Sequence, residues 1–234
     1  HATLRRQRQM CIRDRDHIVA STGELQNMME VLTKEQIDRY KKSRFSSSPM
    51  IIISQDEAII NEKSRSKKIK TWRYKAKNVR DFAFTSSRKF IWDAMGVKLG
   101  DRTVMAMSYY PKEANPLYER YSTRAVAHTL NVYSKYTFDY PYPVAISVEA
   151  ANGMEYPMIC FNYGRPQKDG TYSERIKYGM ISVIIHEVGH NYFPMIVNSD
   201  ERQWTWMDEG LNSYLQFLAE QELSLIHISE PTRL

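Results

Sequence analysis

Apolar positions fall into short runs and alternations before residue 100 and into longer helical stripes after it. Met50 to Ile53 is an isoleucine run preceded by the turn-forming Ser46-Ser47-Ser48-Pro49. Trp72, Tyr74 and Ala76 alternate with Arg73, Lys75 and Lys77, the period of a strand with one face in the core. Residues 61–70 form a charge-rich stretch, and 16–100 read mainly as strands and loops. Further on, 103–109 predict a strand ended by Pro111, and 144–148 predict another bounded by Pro141 and Pro143. Between them, 116–136 have helical spacing, with Val126, Leu130, Val132 and Tyr133 on one stripe. His128 lies in that helix and reads as a packing or surface residue. Thr171-Tyr172-Ser173-Glu174 has capping-box spacing and predicts a helix from about Tyr172 through His190, stopped by Pro194. Thr205-Trp206-Met207-Asp208 predicts the start of a second, with Leu211, Tyr214, Leu215 and Leu218 on its buried face. The short polar connection 197–203 suits an antiparallel return.

The first of these two helices carries His186-Glu187-Val188-Gly189-His190, and Glu209 follows after eighteen intervening residues. Four residues of helix rise about 6 Å and overshoot a full turn by about 40°, so the two imidazoles can converge on one ion. Glu187 is rotated by roughly 100° from His186 and can reach a water on the open side of that ion. Glu209, from the second helix, closes a set of two neutral imidazoles and one carboxylate with a free position, the donor set of a catalytic zinc. The buried run 181–185 before the motif suits a site set in a core.

The charge argument changes once the chain ends are considered. The formal net charge is +6, from 33 basic and 27 acidic residues. The codons of Met10-Cys11-Ile12-Arg13-Asp14-Arg15, read on the opposite DNA strand, spell Leu-Ser-Leu-Ile-His-Ile, the sequence of residues 223–228. One DNA element in two orientations thus accounts for both ends, and it resembles the adapter of a transposon-based sequencing library. Residues 1–15 and 223–234 are therefore expected to be foreign to the natural sequence. The remainder has 27 basic and 25 acidic residues, and the case for a nucleic-acid partner disappears. Cys160 is then the single cysteine, so no internal disulfide is possible. At 42% hydrophobic residues a sizeable core is expected, and no apolar run is long enough to span a bilayer.

Upstream of the histidines lies Asn152-Gly153-Met154-Glu155-Tyr156. Alone it reads as a turn carrying an exposed glutamate. Together with the zinc pattern and Trp206-Met207-Asp208-Glu209-Gly210, it resembles the gluzincin aminopeptidases, the family of aminopeptidase N and the leukotriene hydrolases. The resemblance covers residues 70–222 and extends to 16–222, with Tyr156 where the family usually has Asn. It implies an α+β fold: the C-terminal part of an N-terminal β-sandwich domain over 16–100, then the N-terminal part of a thermolysin-like catalytic domain over 101–222.

The resemblance further implies one zinc ion on His186, His190 and Glu209, with Glu187 as catalytic base. Gly153, Met154 and Glu155 would bind substrate, the carboxylate pairing with the α-amine of a peptide with a free N-terminus. The family's oxyanion tyrosine lies well beyond the third ligand and outside this chain; Tyr192 and Tyr214 do not match its position. The expectation is a zinc aminopeptidase whose 234-residue piece is itself inactive. A zinc endopeptidase, an epoxide hydrolase on the same site and a non-catalytic peptide-binding relative are the competing readings. The compartment is open, with a family lean toward the cell envelope or the exterior.

Overall fold

The computed structural model describes the backbone of residues 8–14, 16–64, 66 and 68–229 and the side chains of 16–64, 66 and 68–223. The expectation for the chain ends falls partly outside these residues. In chain order the elements are β1 (Arg8–Asp14), β2 (Ile18–Ser21), β3 (Glu24–Leu25), α1 (Met28–Val31), α2 (Lys34–Ser43), β4 (Met50–Ile53), α3 (Gln55–Lys63), β5 (Lys70–Ala76) and β6 (Phe84–Ser87). There follow β7 (Ile91–Leu99), β8 (Arg102–Tyr110), α4 (Leu117–Tyr136), β9 (Val144–Glu149), β10 (Met154–Tyr156), β11 (Ile159–Asn162), α5 (Glu174–Gly189) and α6 (Glu209–Ser229).

A six-stranded sheet in the order β10-β11-β9-β8-β7-β4 is the platform of the site. β7 and β8 form an antiparallel hairpin through Gly100, whose φ of +55° suits a residue without a Cβ. β8 and β9 are parallel, and α4 supplies the crossover that parallel neighbours require. β9 is buried at every position, as a central strand covered on both faces must be. α4 packs on β7, β8 and β9; α5 packs on β9 and β11; α6 lies against α4 and α5. Leu117, Val126, Leu130 and Tyr133 of α4 and Ile184, Ile185 and Val188 of α5 fill that layer. Among the described residues, no helix is long and apolar enough to cross a membrane.

Smaller sheets, β1-β5-β3 and β2-β6, gather upstream residues. Trp72, Tyr74 and Ala76 of β5 are buried, as their alternation predicts, and the Tyr74 hydroxyl donates to Val19 O at 2.6 Å. The same region also contributes β4 and β7 to the large sheet, so the β7–β8 hairpin spans residue 100.

Strands and loops do not exhaust residues 16–100, since α2 and α3 are helices. Each opens with a complete capping box, Thr33 with Gln36 and Ser54 with Glu57, which satisfies two free N–H groups at each start. Glu57 also takes a two-pronged bond from Arg39 at 2.9 and 2.7 Å, joining the two helices. Partial burial opposes its ionisation, but Arg39, the Ser54 N–H and Gln36 outweigh it and hold the carboxyl at about 2.

Candidate metal centre

α5 begins two residues later than the predicted capping box. Ser173 is the cap, its hydroxyl accepting from Ile176 N at 3.3 Å. Its apolar face, Ile181, Ile184, Ile185 and Val188, is buried in the core, which leaves His186 and His190 on the flank that meets α6. The α-helix ends at Gly189, and a wider turn, Asn191–Ile196, follows with a non-helical Phe193 (φ −136°, ψ 111°). That break turns the Phe193 carbonyl back toward the His190 ring.

α6 begins with Glu209, after a short turn of 3₁₀ helix, Thr205–Met207. The Oδ1 of Asp208, just before it, accepts from Glu209 N at 2.7 Å. Its predicted buried face is only half right. Leu215 is buried, but Leu211 and Tyr214 are 42% and 63% exposed. Polar side chains take their place: Asn212 is fully buried, and it and Gln216 face α5.

Three donor atoms meet between the helices. His186 Nε2 and His190 Nε2 are 3.0 Å apart, and Glu209 Oε2 lies 3.2 Å from the first and 3.6 Å from the second. Both opposite ring nitrogens are engaged: His190 Nδ1 with Phe193 O at 2.9 Å, His186 Nδ1 with Gln216 Oε1 at 2.9 Å. Both partners accept, so both Nδ1 atoms carry the hydrogen and both Nε2 atoms present lone pairs to one another. Two lone pairs at this distance repel unless a cation lies between them. A proton would serve, but the third donor favours a metal. Tetrahedral zinc, with bonds of about 2.0–2.1 Å, would separate its donors by roughly 3.3–3.4 Å, within a few tenths of an ångström of what is found. The residues therefore fit zinc.

Glu187 stands beside this set. It is buried, and its Oε2 has no hydrogen-bond partner. Burial pushes its carboxyl up to about 8, with the Glu155 and Glu209 carboxylates adding to the effect. Glu155 sits on the edge strand β10, opposite Cys160 of β11. It brings a carboxylate oxygen within 4.8 Å of donor atoms of Glu187 and His190. Gly153 makes room for the arrangement: a Cβ there would lie 2.2 Å from Glu187 Oε1. Met154 is 44% exposed at the open edge.

Asn191, which sequence reasoning passed over, ties these pieces together. Its Nδ2 donates to Val188 O at 3.1 Å, and its Oδ1 accepts from Met158 N at 2.7 Å and from the Tyr140 hydroxyl at 3.2 Å. The end of α5 is thereby fixed to the β10–β11 turn, and so Glu187 to Glu155. His128 is a packing residue, Nε2 bonded to Ala219 O at 2.8 Å. Tyr192 is buried, its hydroxyl 2.9 Å from Ser134 Oγ, whereas Tyr214 points to solvent.

No protein-family model matches the chain, and no curated protein matches it in sequence. Solved structures share its fold. An M1 zinc metallopeptidase from Deinococcus radiodurans superposes with a TM-score of 0.59 at 14% identity, over 94% of this chain and 41% of that one. A mutant M1 zinc metallopeptidase bound to L-arginine gives 0.58 at 15% identity, over 93% and 41%. A mutant of the Deinococcus radiodurans enzyme bound to a Tyr-Ser-Ala substrate gives 0.55 at 14% identity, over 93% and 41%. The chain thus spans about two fifths of the length of the structures it matches. At this identity the likeness is one of mixed α/β fold.

Proposed function

We propose that the chain carries the zinc site of an aminopeptidase of the gluzincin type, as part of a longer enzyme. In this reading residues 16–100 belong to an N-terminal β domain and 101–222 to the first part of a thermolysin-like catalytic domain. The observation that carries it is the facing pair of His186 and His190 Nε2 atoms, 3.0 Å apart, with Glu209 Oε2 completing the triangle. A solved structure of the same fold holds a peptide substrate, which supports a peptidase.

When bound, zinc supplies a Lewis acid that lowers the pKa of water and polarises a carbonyl. The chain's own residues do the rest. Glu187, with an unpartnered carboxylate oxygen, takes a proton from the attacking water and returns it to the leaving amine. A cation held by His186, His190 and Glu209 would favour the ionised form of this carboxyl, the form a base needs. Glu155, on the open edge strand, pairs with the protonated α-amine of the substrate. Gly153 and Met154 present the strand edge beside it. An amine anchor this close to the ligands leaves room for one residue, which makes the reaction an exopeptidase one.

Comparing a free peptide with its N-acetylated form, on the longer enzyme that carries this site, tests the reading. Hydrolysis of the free form alone is expected. Equal cleavage of both would favour an endopeptidase and remove the role of Glu155.

A further inference from the structure

The two candidate histidine ligands have their tautomers fixed by different means. His190 Nδ1 faces a backbone carbonyl, which can only accept. His186 Nδ1 faces the side-chain amide of Gln216, and an amide has two ends. With its oxygen toward the ring, Nδ1 keeps the hydrogen and Nε2 is free to ligate. With its nitrogen toward the ring, the hydrogen moves to Nε2 and the ring cannot ligate. Rotation of one amide separates a ligand from a non-ligand.

Three contacts decide that rotation. Gln216 Nε2 is 2.9 Å from Glu220 Oε1, 2.9 Å from Ser182 Oγ and 3.4 Å from Ser182 O. A carboxylate and a carbonyl are acceptors only. The Ser182 hydroxyl spends its hydrogen on Glu220 Oε1 at 2.7 Å, so toward Gln216 it too accepts. All three therefore demand the amide's NH₂. The flipped amide would set its oxygen against the Glu220 carboxylate. Asn212 Nδ2 also lies 3.4 Å from His186 Nδ1, but its shorter bond, 2.9 Å, goes to His186 O.

We propose that Glu220 is a positioning residue for the metal centre, holding the Gln216 amide, with Ser182, so that His186 stays in the Nδ1–H tautomer. The purpose of this relay rests on the zinc reading; the tautomer itself belongs to the metal-free chain. Outer hydrogen bonds of this kind change metal affinity by about 10- to 100-fold.

The test is a long-range proton–nitrogen NMR spectrum of the metal-free chain above about pH 8, where imidazoles are neutral, with His186 assigned from the His186→Gln variant. A single Nδ1–H tautomer is expected at His186. Glu220→Ala should give a mixture of tautomers and weaken zinc binding by about tenfold. Gln216→Glu is the control: a carboxylate toward the ring only accepts, so the Nδ1–H tautomer should persist there. Glu220→Gln keeps the size and an acceptor for the Gln216 NH₂ but no longer opposes the flipped amide, so it too should admit the Nε2–H tautomer. It keeps the test open should Glu220→Ala fail to fold. An Nε2–H ring in the unaltered chain, or a folded Glu220→Ala or Glu220→Gln with tautomer and affinity unchanged, would overturn the proposal. If the unaltered chain binds no zinc, the metal reading falls while the tautomers still decide the relay.

Discussion

A Cβ at Gly189 would stand 2.2 Å from Asn212 Oδ1 and 2.3 Å from the Tyr133 hydroxyl. The glycine between the histidines is thus where α4, α5 and α6 meet. Tyr133 donates to Asn212 Oδ1 at 2.8 Å, and Asn212 donates to His186 O at 2.9 Å, one helical turn beyond Glu209. The register of α6 on α5, and with it the reach of Glu209, depends on this approach.

Gly189→Ala should therefore destabilise the fold. Helix propensity favours alanine by about 1 kcal/mol, but overpacking a closed core costs about 1–3 kcal/mol, and here the displaced groups include a buried tyrosine ring. Gly179, on the same helix, has nothing within 4 Å of its Cβ position and serves as the control. In urea unfolding, Gly179→Ala should gain up to about 1 kcal/mol and Gly189→Ala should lose stability. Equal gains would mean that the approach at Gly189 is not tight.

In the longer enzyme, Glu187→Gln should lower kcat by about 10²- to 10⁴-fold while zinc affinity stays unchanged, since the role proposed for this side chain is to move protons and not to hold the metal. Gly153→Ala should do the same in milder form, because its Cβ would fall 2.2 Å from Glu187 Oε1 and push the carboxylate aside. Kinetics and metal titration on the same preparations check both. A Glu187→Gln variant that hydrolyses peptide normally would exclude it as the base.

Glu155→Ala should act on recognition. Losing a hydrogen bond to a charged amine costs about 1.5–3 kcal/mol, so KM for free-amine substrates should rise steeply with a smaller change in kcat. Steady-state kinetics separates the two parameters. An unchanged KM would leave Glu155 without a part in binding.

Stability should fall as pH rises through the weakly acidic range. Burial pushes the Asp93 carboxyl from 3.8 up to about 7, against the pull of its bonds from Thr123 and Tyr110. Between those values the folded chain keeps a proton that the unfolded chain has released. Its contribution is full below the lower value and is lost as pH climbs through the upper one. Asp93→Asn keeps an acceptor for Tyr110 and gains a donor for Thr123, so it should flatten that slope without a large loss of stability. Denaturant titrations across this range measure the difference; parallel curves for the two proteins would refute it.

Much of this was legible from residue spacing. The strands at Met50–Ile53, Lys70–Ala76 and Val144–Glu149 and the helix Leu117–Tyr136 follow from hydrophobic period alone. The donor residues of the site were legible too, because a metal needs particular side chains at particular helical offsets. α2 and α3 were missed because their charged faces hid the apolar ones, although Thr33 with Gln36 and Ser54 with Glu57 carried the signal. α6 misled in the opposite way. Its apolar residues Leu211 and Tyr214 are exposed, and its inner face carries Glu209, Asn212, Gln216 and Glu220, which no hydrophobic stripe marks. Those positions recur at helical spacing from Glu209, and that recurrence could have revealed them. The role of Asn191 depends on Met158 and Tyr140, far away in sequence, and only the fold brings them together.

Zinc titration of the metal-free chain is the decisive measurement. One zinc per chain is expected, with affinity lost by more than about 100-fold in His190→Ala and in Glu209→Ala, more than losing a hydrogen bond to a ligand would cost. Glu187→Gln should bind as the unaltered chain does. Equal affinity in His190→Ala, or no zinc uptake by the folded chain, would contradict it.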